Sequence, residues 1–365
     1  MIGLFDIFVA SYDNTGRKQW TRTLGVIGSN TTASGIVSDS LGNVYSTGKT
    51  NGNLDGQVLT GIQDLFIVKY DNAGNKQWTR LLGAPGTTAA SNGITIDRQG
   101  NVFATGQTNN NLDGQVLTGN QDLFIVKFDS AGNKQWTRLL GAVGANTSAF
   151  GVTTDASGNV YSTGSTFGNL DGQTLTGTQD LFVVKYDTAG NKQWTRLLGS
   201  LSGSSLTAAF GIATDPTGSG VYATGGTGTN LDAQTRTGNQ DLFIVKYDLS
   251  GNKQWTRLLG ALGATETGFG ITSDSFGNVY TTGASSGGLD GNPSIGAQDL
   301  FVVKYDGSGN KQWSRLDGAG GGSNTNGNGI VSDVFGNLYA TGFTNGNLDG
   351  LTPTGTQDFF LIQYK

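Results

Sequence analysis

Short apolar segments alternate along the chain with polar turns that are rich in Gly and Asn. The strands that this pattern predicts in the stretch beginning at Asp64 span residues 64–71, 76–83, 93–97 and 102–106. NAGN at 72–75 and RQGN at 98–101 predict tight turns, because Asn and Gly tolerate the left-handed backbone conformation that such turns need. No helix-capping signature leads into a long stretch of helical period, so we expect an all-β chain.

The same four-strand pattern recurs about every 58 residues along the whole sequence. Six tryptophans mark it: Trp20, Trp78, Trp136, Trp194, Trp255 and Trp313. A second marker is an Asp followed by apolar residues, which recurs from Asp6 to Asp358. Six units therefore fill the chain, followed by a C-terminal strand over 358–365. We expect residues 1–365 to form a single domain.

Four-stranded units of this length are typical of a β-propeller. One such sheet cannot bury both of its faces, whereas sheets packed side by side around an axis can. We therefore predict a β-propeller of six four-stranded blades. Counted as blades that begin with the strand typified by residues 93–97, the last blade ends with the strand 358–365 and lacks a Trp-bearing strand. Residues 18–24 near the N-terminus contain one, so we expect the N-terminal strand or strands to close the ring. Seven blades are disfavoured because the strand typified by residues 93–97 occurs six times.

The phrases GITIDRQGNVFATG (93–106) and DLFVVKYDTAGNKQWTRLLG (180–199) resemble the repeat of the bacterial seven-bladed β-propeller family known as SBBP. The resemblance extends over essentially the whole chain, which differs from the family's name in having six units. It implies that the strand typified by 93–97 is innermost and the Trp strand outermost. It also implies a protein that is secreted or associated with the cell surface and that has no enzymatic activity assigned to it.

The composition excludes several kinds of chemistry. The chain contains neither His nor Cys, which removes Ser-His-Asp triads, Cys-His dyads, disulfides and imidazole or thiolate metal sites. A formal net charge of −5 argues against a nucleic-acid partner. No stretch of 18 apolar residues predicts a membrane span, and the N-terminus as given has no basic segment followed by a long apolar one, so it does not resemble a signal peptide.

Many charged residues recur once per unit, which favours a structural role. We expect Asp39 and Asp71, which precede Gly-Asn turns, to accept backbone N–H bonds from their own turns. In the hairpin of residues 64–83, a four-residue turn would place Asp71 opposite Lys76 as an ion pair and Lys69 opposite Trp78. We expect the Trp side chains to pack within the strands; a platform for stacking sugars is the alternative.

Two sets of aspartates are the candidate binding residues. Both are expected on the rim that carries the longer loops, where binding usually occurs on a rigid scaffold. The first set lies in L-D-G/A loops and comprises Asp55, Asp113, Asp171, Asp232, Asp290 and Asp349, and the second opens apolar strands and comprises Asp64, Asp122, Asp180, Asp241 and Asp299. Paired carboxylates with loop carbonyls would suit Ca²⁺; the alternative is that these aspartates cap their own loops. Divergent polar loops, such as 200–210, are candidate specificity segments.

We therefore expect a non-enzymatic binding or structural propeller, extracellular or on the cell surface, which presents an acidic, loop-rich rim to a protein or glycan partner. No cofactor is expected apart from the possible Ca²⁺. A multivalent lectin-like module, with or without the assistance of Ca²⁺, is one alternative. An Asp-based glycosidase or lyase is a second and is disfavoured, because Asp is distributed by the repeat rather than gathered in one cluster. A monomer is expected, with a strand-exchanged oligomer as the alternative.

Overall fold

The computed structural model of the chain describes residues 2–13, 15–200 and 206–364. Within these ranges the regular structure consists of 25 β-strands, without a helix. The strands follow the order that the repeat predicts, so the all-β β-propeller fold class is confirmed. The described residues contain no helix long and apolar enough to cross a membrane. Of the candidate specificity loop 200–210, residues 201–205 lie outside the described ranges.

The chain divides into two compact units. Unit 1 comprises Met1–Ser162, Thr166–Gly172 and Lys185–Gln193, and unit 2 comprises Thr163–Ser165, Gln173–Val184 and Trp194–Lys365. The assignment of residues 1–365 to a single domain stays a prediction.

Unit 1 contains a hairpin and two complete four-stranded sheets. The strands are β1 (Ile7–Tyr12), β2 (Lys18–Leu24), β3 (Thr31–Ser38), β4 (Val44–Thr50), β5 (Asp64–Tyr70), β6 (Lys76–Leu82), β7 (Ala89–Ile96), β8 (Val102–Thr108), β9 (Asp122–Phe128) and β10 (Lys134–Leu140). Strands β1 and β2 pair with each other, and the two sheets have the orders β3-β4-β5-β6 and β7-β8-β9-β10. Within each sheet, strands that are consecutive in the sequence therefore pair with each other.

The third repeat supplies four strands, whose residues are divided between the two units. They are β11 (Thr147–Thr154), β12 (Val160–Thr166), β13 (Asp180–Tyr186) and β14 (Lys192–Leu198).

Unit 2 contains two four-stranded sheets and one of three strands, with the orders β15-β16-β17-β18, β19-β20-β21-β22 and β23-β24-β25. The strands are β15 (Thr207–Thr214), β16 (Val221–Thr227), β17 (Asp241–Tyr247), β18 (Lys253–Leu259), β19 (Glu266–Ser273), β20 (Val279–Ser285), β21 (Asp299–Tyr305), β22 (Lys311–Asp317), β23 (Thr325–Ser332), β24 (Leu338–Thr344) and β25 (Asp358–Tyr364). The sixth repeat thus provides three strands, and β1–β2 forms a sheet of its own in unit 1. Closure of the ring by the N-terminal strands stays a prediction.

The strand boundaries agree closely with the sequence pattern, apart from the first strand of each sheet. Strand β7 begins at Ala89 rather than at Gly93, because the small residues before Gly93 pair with β8 although their composition is typical of a loop. The register of this pair shifts between Ser91 and Gly93, which makes Asn92 a β-bulge. The same shift occurs in β3, β15, β19 and β23 at the equivalent position, so the bulge belongs to the repeat.

The third strands of the first five repeats, β5, β9, β13, β17 and β21, are buried on both faces. In β5, Phe66 and Val68 pack with Ile7 and Val9 of the preceding hairpin. Leu65 and Ile67, which alternate with them, pack instead among residues of the following sheet β7–β10. Because side chains alternate across a strand, an uninterrupted apolar segment can supply two cores at once, which explains why these strands lack the apolar–polar alternation of a half-exposed sheet.

Candidate functional site

The aspartates of the L-D-G/A loops are used for contacts within their own repeats. Asp55 adopts a left-handed conformation with φ 54°, which Asp tolerates better than most residues. Its Oδ1 accepts a hydrogen bond from Lys76 Nζ at the start of β6, and its Oδ2 accepts one from Thr79 Oγ1 at 2.6 Å. The equivalent Lys pairs are Asp113–Lys134, Asp171–Lys192, Asp232–Lys253 and Asp290–Lys311. These carboxylates therefore fasten a loop to the Trp strand.

The electrostatics of this contact are clearest at Asp232. Burial alone would raise the pKa of Asp232, but hydrogen bonds from Lys253 and Thr256 outweigh it and hold the pKa below its ordinary value. Both side chains of the ion pair remain partly exposed, so the pair is worth about 1 kcal/mol or less. Asp349 shares the left-handed backbone, with φ 51°, but its repeat has no Trp strand and the described residues give it no Lys partner.

The aspartates that open the third strands of the first five repeats are fully buried rather than displayed on a rim. Asp64 accepts hydrogen bonds from the backbone N–H groups of Thr60 and Gly61, both at 2.8 Å. A Cβ at Gly83 would overlap the Asp64 carboxylate, so only glycine fits there. The same arrangement recurs at Asp122, Asp180, Asp241 and Asp299, which like Asp64 are 0% exposed. These residues are internal caps of the loop that precedes each strand.

The described residues therefore do not show the two sets of aspartates displayed together as free carboxylates on one rim. The strand-opening aspartates are buried, and five of the six loop aspartates are paired with Lys. The described residues bring together no group of three or more acidic side chains that could hold a metal ion. As arranged, Asp55 faces an ammonium group and a hydroxyl, which does not fit the oxygen-rich shell that Ca²⁺ requires.

The turn aspartates have the structural role that the sequence predicts. Asp71 accepts hydrogen bonds from Asn75 N at 2.8 Å and from Asn75 Nδ2 at 2.9 Å. These bonds hold the pKa of Asp71 below its ordinary value, and the bond from the Asn75 side chain has the largest effect. Asp39 likewise accepts from the backbone of Leu41 and Asn43.

The predicted ion pair between Asp71 and Lys76 is wrong. Lys69 does lie opposite Trp78, as predicted, but the register then shifts so that Lys76 pairs with Tyr70. The bulge directs Lys76 away from Asp71 and towards Asp55. The Lys69 ammonium lies over the ring of Tyr45, with 5.1 Å to the centroid, rather than over an indole.

Five of the six tryptophans contact a turn of the repeat that follows. Trp78 Nε1 donates to Ser130 O at 3.3 Å, and Arg80, which lies over the indole, donates from Nε to Gly132 O at 2.7 Å. Gly132 has φ 82°, and a Cβ there would come within 2.9 Å of the indole ring. The same Trp–turn contact is made by Trp20, Trp136, Trp194 and Trp255. These indoles pack within the structure, as expected, and are not open platforms.

A cleft of about 670 Å³ opens in unit 1 between two of the short turns. Its lining includes Asp39, Asp97, Lys69 and Arg98. Arg98 breaks the repeat, because the other turns at this position carry no cation. Asp39 and Asp97 both accept hydrogen bonds from their own turns, so their carboxylates already have partners within the chain.

Exposed apolar side chains in the turns between the first and second strands are the surface feature that sequence reasoning missed. We call the turns after Asp39, Asp97, Asp155, Asp215, Asp274 and Asp333 the inner turns. The second residue after the Asp is Leu41, Phe276 or Phe335 in three of them, and these side chains are strongly exposed. Alignment of the six turns by their Asp and Gly residues would have revealed that the second residue after the Asp varies while the rest of the turn is similar.

These repeated sheets, with their shared turns and indole contacts between successive repeats, define a β-propeller repeat protein. The SBBP profile, described as a β-propeller repeat, matches residues 19–55, 77–113, 135–171, 254–290 and 312–349. The matches cover 186 of the 365 residues. The chain therefore belongs to the SBBP β-propeller repeat family, as its motifs indicated.

Two curated proteins and one solved structure are similar to the chain. The chain is 25% identical, over 86% of its length, to an uncharacterized WD repeat-containing protein of Acanthamoeba polyphaga mimivirus. It is 26% identical, over 95% of its length, to the regulatory protein FlaEY of Caulobacter vibrioides. The chain spans 29% and 40% of the length of these two curated relatives, respectively. Among solved structures, the hydrazine synthase of Kuenenia stuttgartiensis matches 84% of this chain and 73% of its own with a TM-score of 0.50 at 10% identity, which indicates a shared fold alone.

Proposed function

We propose that this protein is a non-enzymatic binding propeller that acts outside the cell or on its surface and contacts a protein or glycan partner. The observation that carries the proposal is the use of the repeated polar side chains. Asp64 caps its loop, Asp55 pairs with Lys76, and Trp78 contacts the next repeat, so each maintains the scaffold. Residues free to contact a partner are then the exposed ones that differ between repeats.

The absence of His and Cys from the sequence supports a binding role rather than a catalytic one, because a general acid–base pair would have to come from Asp, Tyr, Lys or Glu266. The proposed location follows the secreted or surface-associated character that the SBBP resemblance implies. A binding surface on rigid turns between strands also needs little ordering when a partner arrives.

The test is a binding screen of the purified full chain against a glycan array and against extracellular protein extracts of the source organism. We expect concentration-dependent binding to one class of partner, with the partner recovered chemically unchanged. Mass spectrometry of the recovered partner provides the control: hydrolysis or elimination would contradict a non-enzymatic role. Antibody labelling of intact and permeabilised cells tests the location, and labelling confined to permeabilised cells would contradict it.

A further inference from the structure

Two inner turns of unit 2 present phenyl rings to the solvent. Phe276 is 81% exposed, Phe335 is 87% exposed and the adjacent Val334 is 84% exposed. The inner turn of the neighbouring repeat has Thr217 at the corresponding position, so a large apolar residue is not required by the turn itself. Single exposed apolar residues are ordinary on protein surfaces, whereas a group of them indicates an interaction site.

Both rings are held by rigid turns. Phe276 N donates to Asp274 Oδ1 at 2.9 Å, and Phe335 N donates to Asp333 Oδ1 at the same distance. The residue after each Phe is a glycine with a left-handed backbone, φ 81° at Gly277 and 86° at Gly336. The backbone is therefore ordered before any ligand binds, and stacking would cost little conformational entropy.

The two turns begin from residues that contact each other. Ser332 Oγ, at the end of β23, donates to Ser273 O, at the end of β19, at 3.0 Å. Phe276 follows Ser273 by three residues, and Phe335 follows Ser332 by three. The rings therefore lie on equivalent turns that follow two contacting strands, and we expect one extended ligand to reach both.

The chemistry of the surface favours an uncharged ligand. The charged side chains of the two turns are Asp274 and Asp333, and both carboxylates are taken up by hydrogen bonds from their own turns. Around the rings, the turns offer the hydroxyl of Ser275 and backbone amides. A phenyl face beside neutral polar groups matches a sugar ring, which has C–H groups on one face and hydroxyls at its edge.

The area of the exposed apolar side chains favours a sugar over a protein as the ligand. Two phenyl side chains and a valine at these exposures offer roughly 450 Å² of apolar surface. A stable protein interface buries about 800 Å² on each partner. These three side chains alone offer too little surface for such an interface, whereas each phenyl face can accept one sugar ring.

We propose that Phe276 and Phe335, flanked by Val334, form a stacking site for a neutral oligosaccharide. The proposal rests on the binding function proposed above and names its ligand class. Each phenyl face contacts the C–H face of one sugar ring, and the hydroxyls at the edge of the sugar reach the Ser275 hydroxyl and the backbone of the turns.

The test uses the full chain labelled with 4-fluorophenylalanine at its 18 Phe positions and observed by ¹⁹F NMR. The probes are cellohexaose, xylohexaose and mannohexaose, with hexagalacturonate as the charged comparison. Phe276→Ser and Phe335→Ser assign the two signals and remove one ring each; the third repeat has Ser157 at this position, so the turn accommodates serine. Leu262→Ser, which changes a side chain that is 92% exposed in another loop of unit 2, is the matched control.

We expect the Phe276 and Phe335 signals to shift on titration with at least one neutral probe and not with hexagalacturonate. Each Phe variant should weaken binding roughly tenfold, and Leu262→Ser should leave it within about twofold. Saccharide binding that both Phe variants retain would overturn this site while leaving the binding function intact. No shift of either signal with any neutral probe at millimolar concentration, or a shift that depends on protein concentration and accompanies dimers in light scattering, would overturn the saccharide assignment.

Discussion

Replacement of Glu266, the one Glu in the chain, tests how the structure accommodates a buried acid. Glu266 is 0% exposed at the start of β19, where its carboxylate accepts hydrogen bonds from Ser285 Oγ at 2.9 Å and from Ala261 N at 3.3 Å. Four other repeats have a pair of threonine hydroxyls there instead. These pairs are Thr31–Thr50, Thr147–Thr166, Thr207–Thr227 and Thr325–Thr344.

Burial raises the pKa of Glu266 from an ordinary value of 4.5 to about 7, and buried Asp241 adds a smaller increase. Because the folded pKa is the higher one, the folded state holds a proton that the unfolded state has lost between these two values. The contribution of Glu266 to stability is therefore complete below pH 4.5 and is lost as the pH rises through about 7. The full shift corresponds to about 3 kcal/mol, and relaxation of the structure around the charged carboxylate reduces the expected effect to about 1–2 kcal/mol.

The assay is urea unfolding of the wild type and of Glu266→Gln at pH 4.5, 6, 7 and 8. Gln keeps the size and the hydrogen-bonding oxygen of Glu but cannot ionise. We expect equal free energies of unfolding at pH 4.5 and an advantage of about 1–2 kcal/mol for the variant at pH 8. The double variant Glu266→Thr with Ser285→Thr, which restores the hydroxyl pair of the other repeats, should show the same loss of pH dependence.

The difference between variant and wild type cancels the titration of the other acidic residues, so its pH dependence reports on Glu266 alone. A difference that is constant from pH 4.5 to pH 8 would refute the reasoning, because it would mean that Glu266 has the same pKa in the folded and unfolded states. A variant that loses stability relative to wild type as the pH rises would refute it too, since the sign would be reversed.

Three further substitutions follow from the repeat contacts, each measured by chemical unfolding with circular dichroism. Gly83→Ala should destabilise by at least 2 kcal/mol, because its Cβ would overlap the buried Asp64 carboxylate; a neutral effect would show that the loop yields easily. Trp78→Phe should cost about 1–2 kcal/mol by removing the indole N–H bond to the next repeat, and an unchanged midpoint would contradict that role. Ala233→Gly should stabilise by up to about 1 kcal/mol, since Ala233 has φ 60° where the other repeats have glycine; a destabilised variant would mean that the alanine methyl makes a compensating contact.

The fold was predictable because its determinants are local and recur. The spacing of the Trp residues defines the repeat, and the Asp and Gly-Asn turns locate the hairpins. Two of the errors have local causes. Strand β7 begins at Ala89, before the predicted start at Gly93, because Ala and Ser pair there despite their weak strand preference. The predicted partner of Lys76 is wrong because a bulge changes the register after Lys69.

The candidate site was harder to predict, because the sequence shows which carboxylates recur but not where each one points. The burial of Asp64 nonetheless had a signal in the sequence. A glycine three residues before it and a residue four before it supply the N–H donors, and Thr60-Gly61 recurs with small changes before each such Asp. The role of Asp55 had no such signal, since its partners Lys76 and Thr79 lie more than 20 residues away and are reached only when the loop packs over β6.

Repetition also indicates where specific function can lie. A residue that recurs in each unit, such as Trp78 or Asp64, is accounted for by a contact that recurs with it. A residue that occurs in one or two repeats alone has no such recurring contact to explain it. Residues of this type are either buried or exposed, and the two cases differ in their consequences. Glu266 is buried, so its cost appears in stability and in its dependence on pH. Phe276 and Phe335 are exposed on turns that also accept Thr or Ser, so the scaffold gains nothing from their rings, and a benefit from them requires a ligand outside the chain.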